Sequence, residues 1–319
     1  MSFIILTKHF LKSRNSSAWL ILFVLVLIWG SSFILIKKGL ESYSSNELGA
    51  LRIIITFVCL TPLAFKRLFT LPARKLGLLA LSGITGSGIP VFLFAYAETG
   101  IESSVTGILN SLTPLFTLII GLAVFGIRTR WFNITGVFLG LAGAVGLLTV
   151  SGNGDFSINL SFGIYVIIAT ASYAINANMI KRWLHDVDSI TITSVSFFIM
   201  GIPAVIYLLL FTNFFQHTIH QSGALTGLGY IAVLAIAGTA IALVWYNKLI
   251  KLTNAVFASS VTYLMPIIAI FWGMLDGEPF RLVYIVWINL IMAGVILVNT
   301  RNLNLKDIWQ AVFHKNINI

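Results

Sequence analysis

The chain has 319 residues, 58% of them hydrophobic and only 9% charged, with a mean hydropathy of +0.97. Soluble domains carry roughly a quarter charged residues, so this composition cannot build a water-facing surface and most of the exterior must meet lipid. The net charge of +10 would suit nucleic acid or an anionic surface, but its distribution follows membrane topology instead.

A membrane-crossing helix needs about 20 mainly apolar residues. The first such run, 18–36, is too long for a signal-peptide core and lacks a small-residue cleavage site before Lys37-Lys38, so no cleaved leader is expected. Further runs follow at 48–66, 76–97, 104–126, 131–150, 160–180, 190–212, 224–247, 254–275 and 281–300. Only Glu98–Ser104 separates the third from the fourth. Barrel strands would be about ten residues long with strict alternation; these runs are longer and unbroken, which predicts helices. The lone Cys59 sits inside the second run, leaving neither a disulfide framework nor a thiolate metal site. Beyond the last run, Ile308 with Val312 and Trp309 with Phe313 fit either an interfacial amphipathic helix over 303–313 or a disordered tail.

Ten spans put both termini on one side. All but four of the 20 basic residues then fall on that side: Lys37, Lys38 and Arg281 lie opposite, and Arg52 lies inside the second span. Positive charge in short loops marks the cytoplasmic face, so both termini are expected there. The expected organisation is a cytoplasmic segment 1–17, a five-helix repeat 18–150, an exoplasmic linker 151–159, a second five-helix repeat 160–300 and a cytoplasmic tail 301–319.

The repeat rests on spacing. Pro114 and Pro266 lie 152 positions apart in similar frames, as do Gly121 and Gly273. The small-residue patch Ser82–Gly88 matches Ala235–Ala240, with Gly86 and Gly238 again 152 apart, and Trp29…Ile36-Lys37-Lys38 matches Tyr173…Ile180-Lys181-Arg182 at 144. Five spans is an odd number, so the second half inserts inverted relative to the first. Inverted repeats with a site near the midplane are a transporter architecture. The predicted fold is an all-α integral membrane protein with ten transmembrane helices as two inverted five-helix repeats.

Trp29-Gly30-Ser31-Ser32-Phe33 followed by Lys37, Leu51-Arg52, Leu112-Thr113-Pro114-Leu115-Phe116 and Gly277-Glu278-Pro279 together resemble the drug/metabolite transporter superfamily, EamA-type, over about residues 18–300. That resemblance implies ten helices, cytoplasmic termini, an inner-membrane location and export or exchange of metabolites such as amino acids. One departure is that Gly126 is followed by Ile127, where the family often has a Gly-Glu turn.

Charges inside the spans are scarce. Proton relays place carboxylates or histidines within the membrane, and here Glu47 and Glu98, near span ends, are the acidic candidates for coupling, so facilitated diffusion or exchange is expected. Arg52 reads as an anchor or gate for a substrate carboxylate, or as a structural partner of Glu47, Glu98 or Glu102, or as a snorkelling side chain. Lys37 and Lys38 fit a basic outer mouth or helix-end lysines balanced by Glu41 and Glu47. His217 and His220 have metal spacing but no third ligand nearby. Ser32, Asn110, Thr113, Asn176, Asn178, Asn247 and Thr262 must find partners in the spans, either as glue between helices or as cavity lining. Trp29, Tyr96, Tyr173, Trp245, Tyr246, Tyr263 and Trp272 are aromatic candidates for stacking on substrate, or for packing. The expected function is transport of amino acids or related amphipathic solutes by alternating access, in the export direction. Uptake of a sugar or nucleoside is the alternative, and an embedded enzyme or scaffold a more distant one. The expected partners are a small solute and the bilayer, with no nucleic acid, metal, cofactor or catalytic residue.

Overall fold

The structure, a computed structural model, describes residues 16–101, 103–126, 130–150, 160–276 and 282–299. All regular structure in them is helical: α1 (Ser16–Gly30), α2 (Ser32–Leu40), α3 (Ser45–Leu68), α4 (Ala73–Gly83), α5 (Ile89–Ala97), α6 (Ser103–Leu109), α7 (Thr113–Ala123), α8 (Trp131–Val150), α9 (Leu160–Trp183), α10 (Ser189–Phe211), α11 (Phe214–His220), α12 (Ala224–Ala235), α13 (Ala242–Leu252), α14 (Ala255–Ser259), α15 (Val261–Leu275) and α16 (Tyr284–Asn299). Several are joined end to end, so that the continuous segments Ser17–Leu40, Ser45–Leu68, Ala73–Ala97, Phe162–Trp183, Ser189–Phe211, Ala224–Leu252 and Ala255–Leu275 are long and apolar enough to cross a membrane. Shorter apolar helices lie at Asn110–Ala123, Trp131–Gly143 and Ile285–Gly294. The expected tail helix at 303–313 and the Gly277-Glu278-Pro279 turn lie outside the described residues.

The exterior is greasy, with Leu20, Phe23, Val58, Ile206 and Leu210 all exposed, as lipid contact requires. Several hydroxyls within the helices are satisfied locally. Thr56, Thr61, Thr85 and Ser172 each donate to the carbonyl four residues earlier, which removes an unpaired polar group from the apolar interior. Ser44 starts α3 with a reciprocal cap: its hydroxyl accepts from Glu47 N, and the Glu47 carboxylate accepts from Ser44 N at 2.9 Å. Asn254 caps α14 through Phe257 N at 2.8 Å.

The glycine run of α8 is explained by α16 and α15. A methyl group on Gly294 of α16 would sit 2.5 Å from Gly140 N and 2.7 Å from Gly136 O, and Gly143 faces the backbone of Ile291 and Trp287. The two helices therefore touch backbone to backbone within one protomer. Tyr263 of α15 lays its ring over Gly140 and donates its hydroxyl to Val137 O at 3.2 Å. Replacing Tyr263 with Phe removes one buried hydrogen bond and is expected to cost about 1 kcal/mol, read as a small drop in detergent melting temperature with solute transport unchanged.

Both ends of the bundle carry ionic ties between the first and second halves of the chain. At one end Lys37 meets Asp276 at 2.7 Å, and Lys38 meets Glu41 at 2.9 Å and Asp276 at 3.5 Å. At the opposite end Lys75 reaches Asp186 at 2.6 Å and Trp183 O at 2.9 Å, while Arg67 lies 3.6 Å from Asp188. Lys181 donates to the carbonyls of Ile250, Lys251 and Thr253 and so caps the C-terminus of α13. The hydrogen bond from the Lys75 ammonium holds the Asp186 carboxyl below its ordinary range. A carboxyl depressed in the fold stabilises above its unfolded pKa and loses that contribution as pH falls through the folded value. The melting temperature of Asp186→Asn should therefore trail the wild type from neutral pH down to about pH 4, and the difference should close in more acidic buffer. The size of this effect is modest, since the pair is half-exposed.

Candidate functional site

The site begins with two wide turns. Between α4 and α5 the helix opens into a π-helical turn at Ile84–Gly88, and between α12 and α13 another lies at Ile236–Ile241. Both fall on the small-residue patches that the repeat spacing had paired, where little side-chain bulk resists widening. π-Turns shift backbone hydrogen bonding to i→i+5, and the Thr239 side-chain hydroxyl donates to Leu234 O at 3.2 Å. Groups on the second turn bond across the bundle. Gly238 O accepts from Trp29 Nε1 at 2.8 Å, and Thr239 Oγ1 accepts from Arg52 Nε at 2.7 Å.

These contacts border a central cavity with about 80 Å³ of room for water-sized guests. Trp29, Ser32, Arg52, Asn110, Thr113, Asn176, Tyr246 and Thr262 line it, as do Phe33, Gly86, Ser87, Phe94, Tyr173, Gly238, Thr239 and Met265. Trp29 packs edge-on to Tyr246 with centroids 5.0 Å apart, and Phe94 stacks on Tyr173 at 5.8 Å. Asn176 accepts from Ser82 Oγ at 2.8 Å, and its amide nitrogen occupies the space a side chain on Gly86 would need. Thr113 donates to Asn110 O at 2.7 Å.

Arg52 carries the only formal charge among these lining residues. It is buried in the second turn of α3, and of its three guanidinium nitrogens only Nε has a hydrogen-bond partner among the described residues. The two terminal nitrogens are not sealed off, so a planar fork of donors is left for a guest. Arg52 forms no ion pair with Glu47, whose carboxylate meets His217 Nδ1 at 2.8 Å.

Other sequence candidates lie elsewhere. Tyr96 is exposed on the outside, against Tyr165 and Phe162. Asn178 donates to Thr117 O and Ala174 O, and Asn247 donates to Thr193 Oγ1, so both join helices away from the cavity. Tyr263 faces α8, as described. Lys37 is occupied by Asp276 and Glu47 by His217, while His220 turns to Gln216 O. Glu98 ends α5, beyond the lining residue Phe94. Thr239 and Ser87 were not singled out from sequence, although each is the neighbour of a paired glycine, and that spacing was the signal available.

The lining also has internal order. Trp29 and Tyr173, and Ser32 and Asn176, are 144 apart; Gly86 and Gly238, Ser87 and Thr239, Val91 and Leu243, Phe94 and Tyr246, and Asn110 and Thr262 are 152 apart. A family model, the EamA-like transporter family, matches the chain at residues 16–149 and again at 161–300. The chain belongs to this family. A protein from Escherichia coli K12, named "Uncharacterized inner membrane transporter YedA", is 26% identical over 87% of this chain and 89% of its own. A "Probable terminal-alkyne amino-acid exporter" of Streptantibioticus cattleyicolor is 26% identical over 50% of this chain and 52% of its own, and a "Probable amino-acid metabolite efflux pump" of Escherichia coli K12 is 28% identical over 44% and 45%. A solved crystal structure superposes with a TM-score of 0.70 at 18% identity, covering 89% of this chain and 96% of the other, a likeness of fold. The EamA-like chain is thus a multi-pass membrane transporter.

Proposed function

We propose that this EamA-like protein exports amino acids or related amphipathic carboxylates across the inner membrane, by alternating access at the central cavity. The observation that carries the reading is Arg52: a buried guanidinium with two uncommitted nitrogens, set in a lining otherwise made of hydroxyls, amides and aromatic rings. A carboxylate is the planar anion that matches such a fork. Trp29, Phe94, Tyr173 and Tyr246 offer an apolar surface for the rest of the solute. Polyphosphorylated solutes would want several cations, and the lining supplies one. The names of two partial relatives point the same way.

The reading takes the ten apolar helices as ten spans with both termini cytoplasmic, and the halves 18–150 and 160–300 as inverted five-helix repeats joined by an exoplasmic linker, 151–159. The paired lining residues support that symmetry. Ionic ties at the two ends of the bundle would then open in turn, with the solute biasing the balance through its differential affinity for the two forms.

The test uses the purified protein in proteoliposomes loaded with labelled L-phenylalanine. Efflux above protein-free vesicles that is inhibited by L-phenylalanine and 3-phenylpropionate, but not by L-phenylalaninamide, supports a carboxylate site. Equal inhibition by the amide removes it.

A further inference from the structure

We propose that the groove between the start of α4 and the end of α9 is a binding site for an anionic phospholipid, whose phosphate seats between Arg74 and Arg182. The proposal is independent of the central cavity and of Arg52.

The groove is lined by Arg74, Lys75, Gly77 and Leu78 from α4, and by Arg182, Trp183 and His185 from α9 and the turn after it. It leaves about 530 Å³ of room for water-sized guests, far more than the central cavity. Its depth in the membrane follows from the helices. Arg74 is the second residue of the membrane-crossing segment Ala73–Ala97, and Arg182 the last but one of Phe162–Trp183. Both sit where a spanning helix leaves the hydrocarbon and meets the headgroups. Trp183, packed on Phe125 with ring centroids 5.1 Å apart, is a residue type that favours that same level. A methyl group on Gly77 would meet nothing within 4 Å, so the floor between the cations is open.

The cations are unequally committed. Lys75 is spent on Asp186 at 2.6 Å and on Trp183 O at 2.9 Å. The side chains of Arg74 and Arg182 make no hydrogen bond or ion pair among the described residues. Topology asks for positive charge at this end of the bundle. It does not ask that arginines from two helices distant in the chain line one groove. Two planar donor forks on one space match the oxygens of a phosphodiester. A free phosphate would use the cations alone; Leu78 and Trp183 give the groove an apolar wall that suits a phosphate carrying acyl chains. Since α4 packs against α9, and the two belong to different halves of the chain, the lipid would bridge the halves beside the Lys75–Asp186 tie.

The test titrates the purified full-length protein in detergent with phosphatidylglycerol or phosphatidylcholine and counts bound lipid by native mass spectrometry. Phosphatidylglycerol is expected to fill one site about tenfold more tightly than phosphatidylcholine. Arg74→Gln/Arg182→Gln should lose that preference; both residues are exposed, so the fold should stand. Gly77→Trp, which fills the groove and leaves every charge in place, should lose it too. Lys66→Gln/Lys248→Gln removes equal charge from exposed lysines outside the groove and should bind as the wild type does. Equal loss in the two double variants reduces the preference to general surface charge and overturns the site, as does unchanged binding by Gly77→Trp. Absence of any preference in the wild type overturns it outright. If glycerol 3-phosphate or inorganic phosphate displaces the lipid at equal concentration, the groove takes a free phosphate and the lipid assignment falls.

Discussion

Arg52→Gln is expected to weaken binding of a carboxylate-bearing solute by a hundredfold or more and to reduce its efflux to the protein-free rate. Each charge-assisted hydrogen bond is worth roughly 1.5–3 kcal/mol, and the vacant fork can make two. Glutamine fills much of the space but offers one amide and no charge. Arg52→Lys keeps the charge while losing both the planar fork and the Nε anchor on Thr239, so an intermediate loss is expected. Thr239→Val should free the guanidinium to wander and act in the same direction, more weakly. The check is a set of equilibrium titrations with L-phenylalanine and L-phenylalaninamide. The acid should lose affinity in the variant while the amide changes little. Equal affinity for the acid in wild type and Arg52→Gln would make Arg52 a structural residue.

The second large effect concerns folding rather than transport. Gly294→Leu is expected to destabilise the protein by on the order of 3 kcal/mol or more, since overpacking at a close contact strains the backbone. A methyl group there already meets main-chain atoms of Gly140 and Gly136 at 2.5–2.7 Å, and a main chain cannot rotate aside as a flexible side chain can. Helices α8 and α16 would have to part. Gly294→Ala should give a smaller loss of the same sign. Gly77→Ala is the control, because nothing lies within 4 Å of a methyl group at that position; its stability should be unchanged or raised. Melting temperatures in one detergent order the three variants, and a Gly294→Leu protein as stable as the wild type would refute the backbone contact.

How much of this was legible beforehand depends on the kind of signal. Span positions follow from runs of apolar residues, which one-dimensional hydropathy detects, so membrane class and helical content came directly from the sequence. The paired positions Gly86 and Gly238 pointed to equivalent places in the chain, and both lie on the cavity. Facing was harder. In a helix that is apolar all round, hydropathy has no preferred side, and Asn178 and Asn247 look the same in sequence as Asn110 and Asn176. Only the packing assigns the first pair to contacts between helices and the second to the cavity. The partner of Glu47 was beyond reach for a different reason: His217 is distant in the chain, and no local pattern links them. π-Turns were also unforeseen, because a Gly-Ser-Gly or Gly-Thr stretch permits a wide turn without demanding one.

Those wide turns bear on how the cavity wall tolerates insertion and deletion. A π-turn holds one residue more than the α-helical path it replaces, so the chain after Gly88 runs about 100° out of phase with an unbroken helix. Phe94 lies on the cavity, and Tyr96 on the outside, because of that extra residue. Losing one residue from Ile84–Gly88 would let the helix close up and rotate everything beyond it, carrying Phe94 off the cavity and a different face of α5 onto it. The same holds for Tyr246 beyond Ile236–Ile241. Change in cavity lining can therefore come as a whole face at a time, through a single codon gained or lost, with the rest of the bundle left as it is.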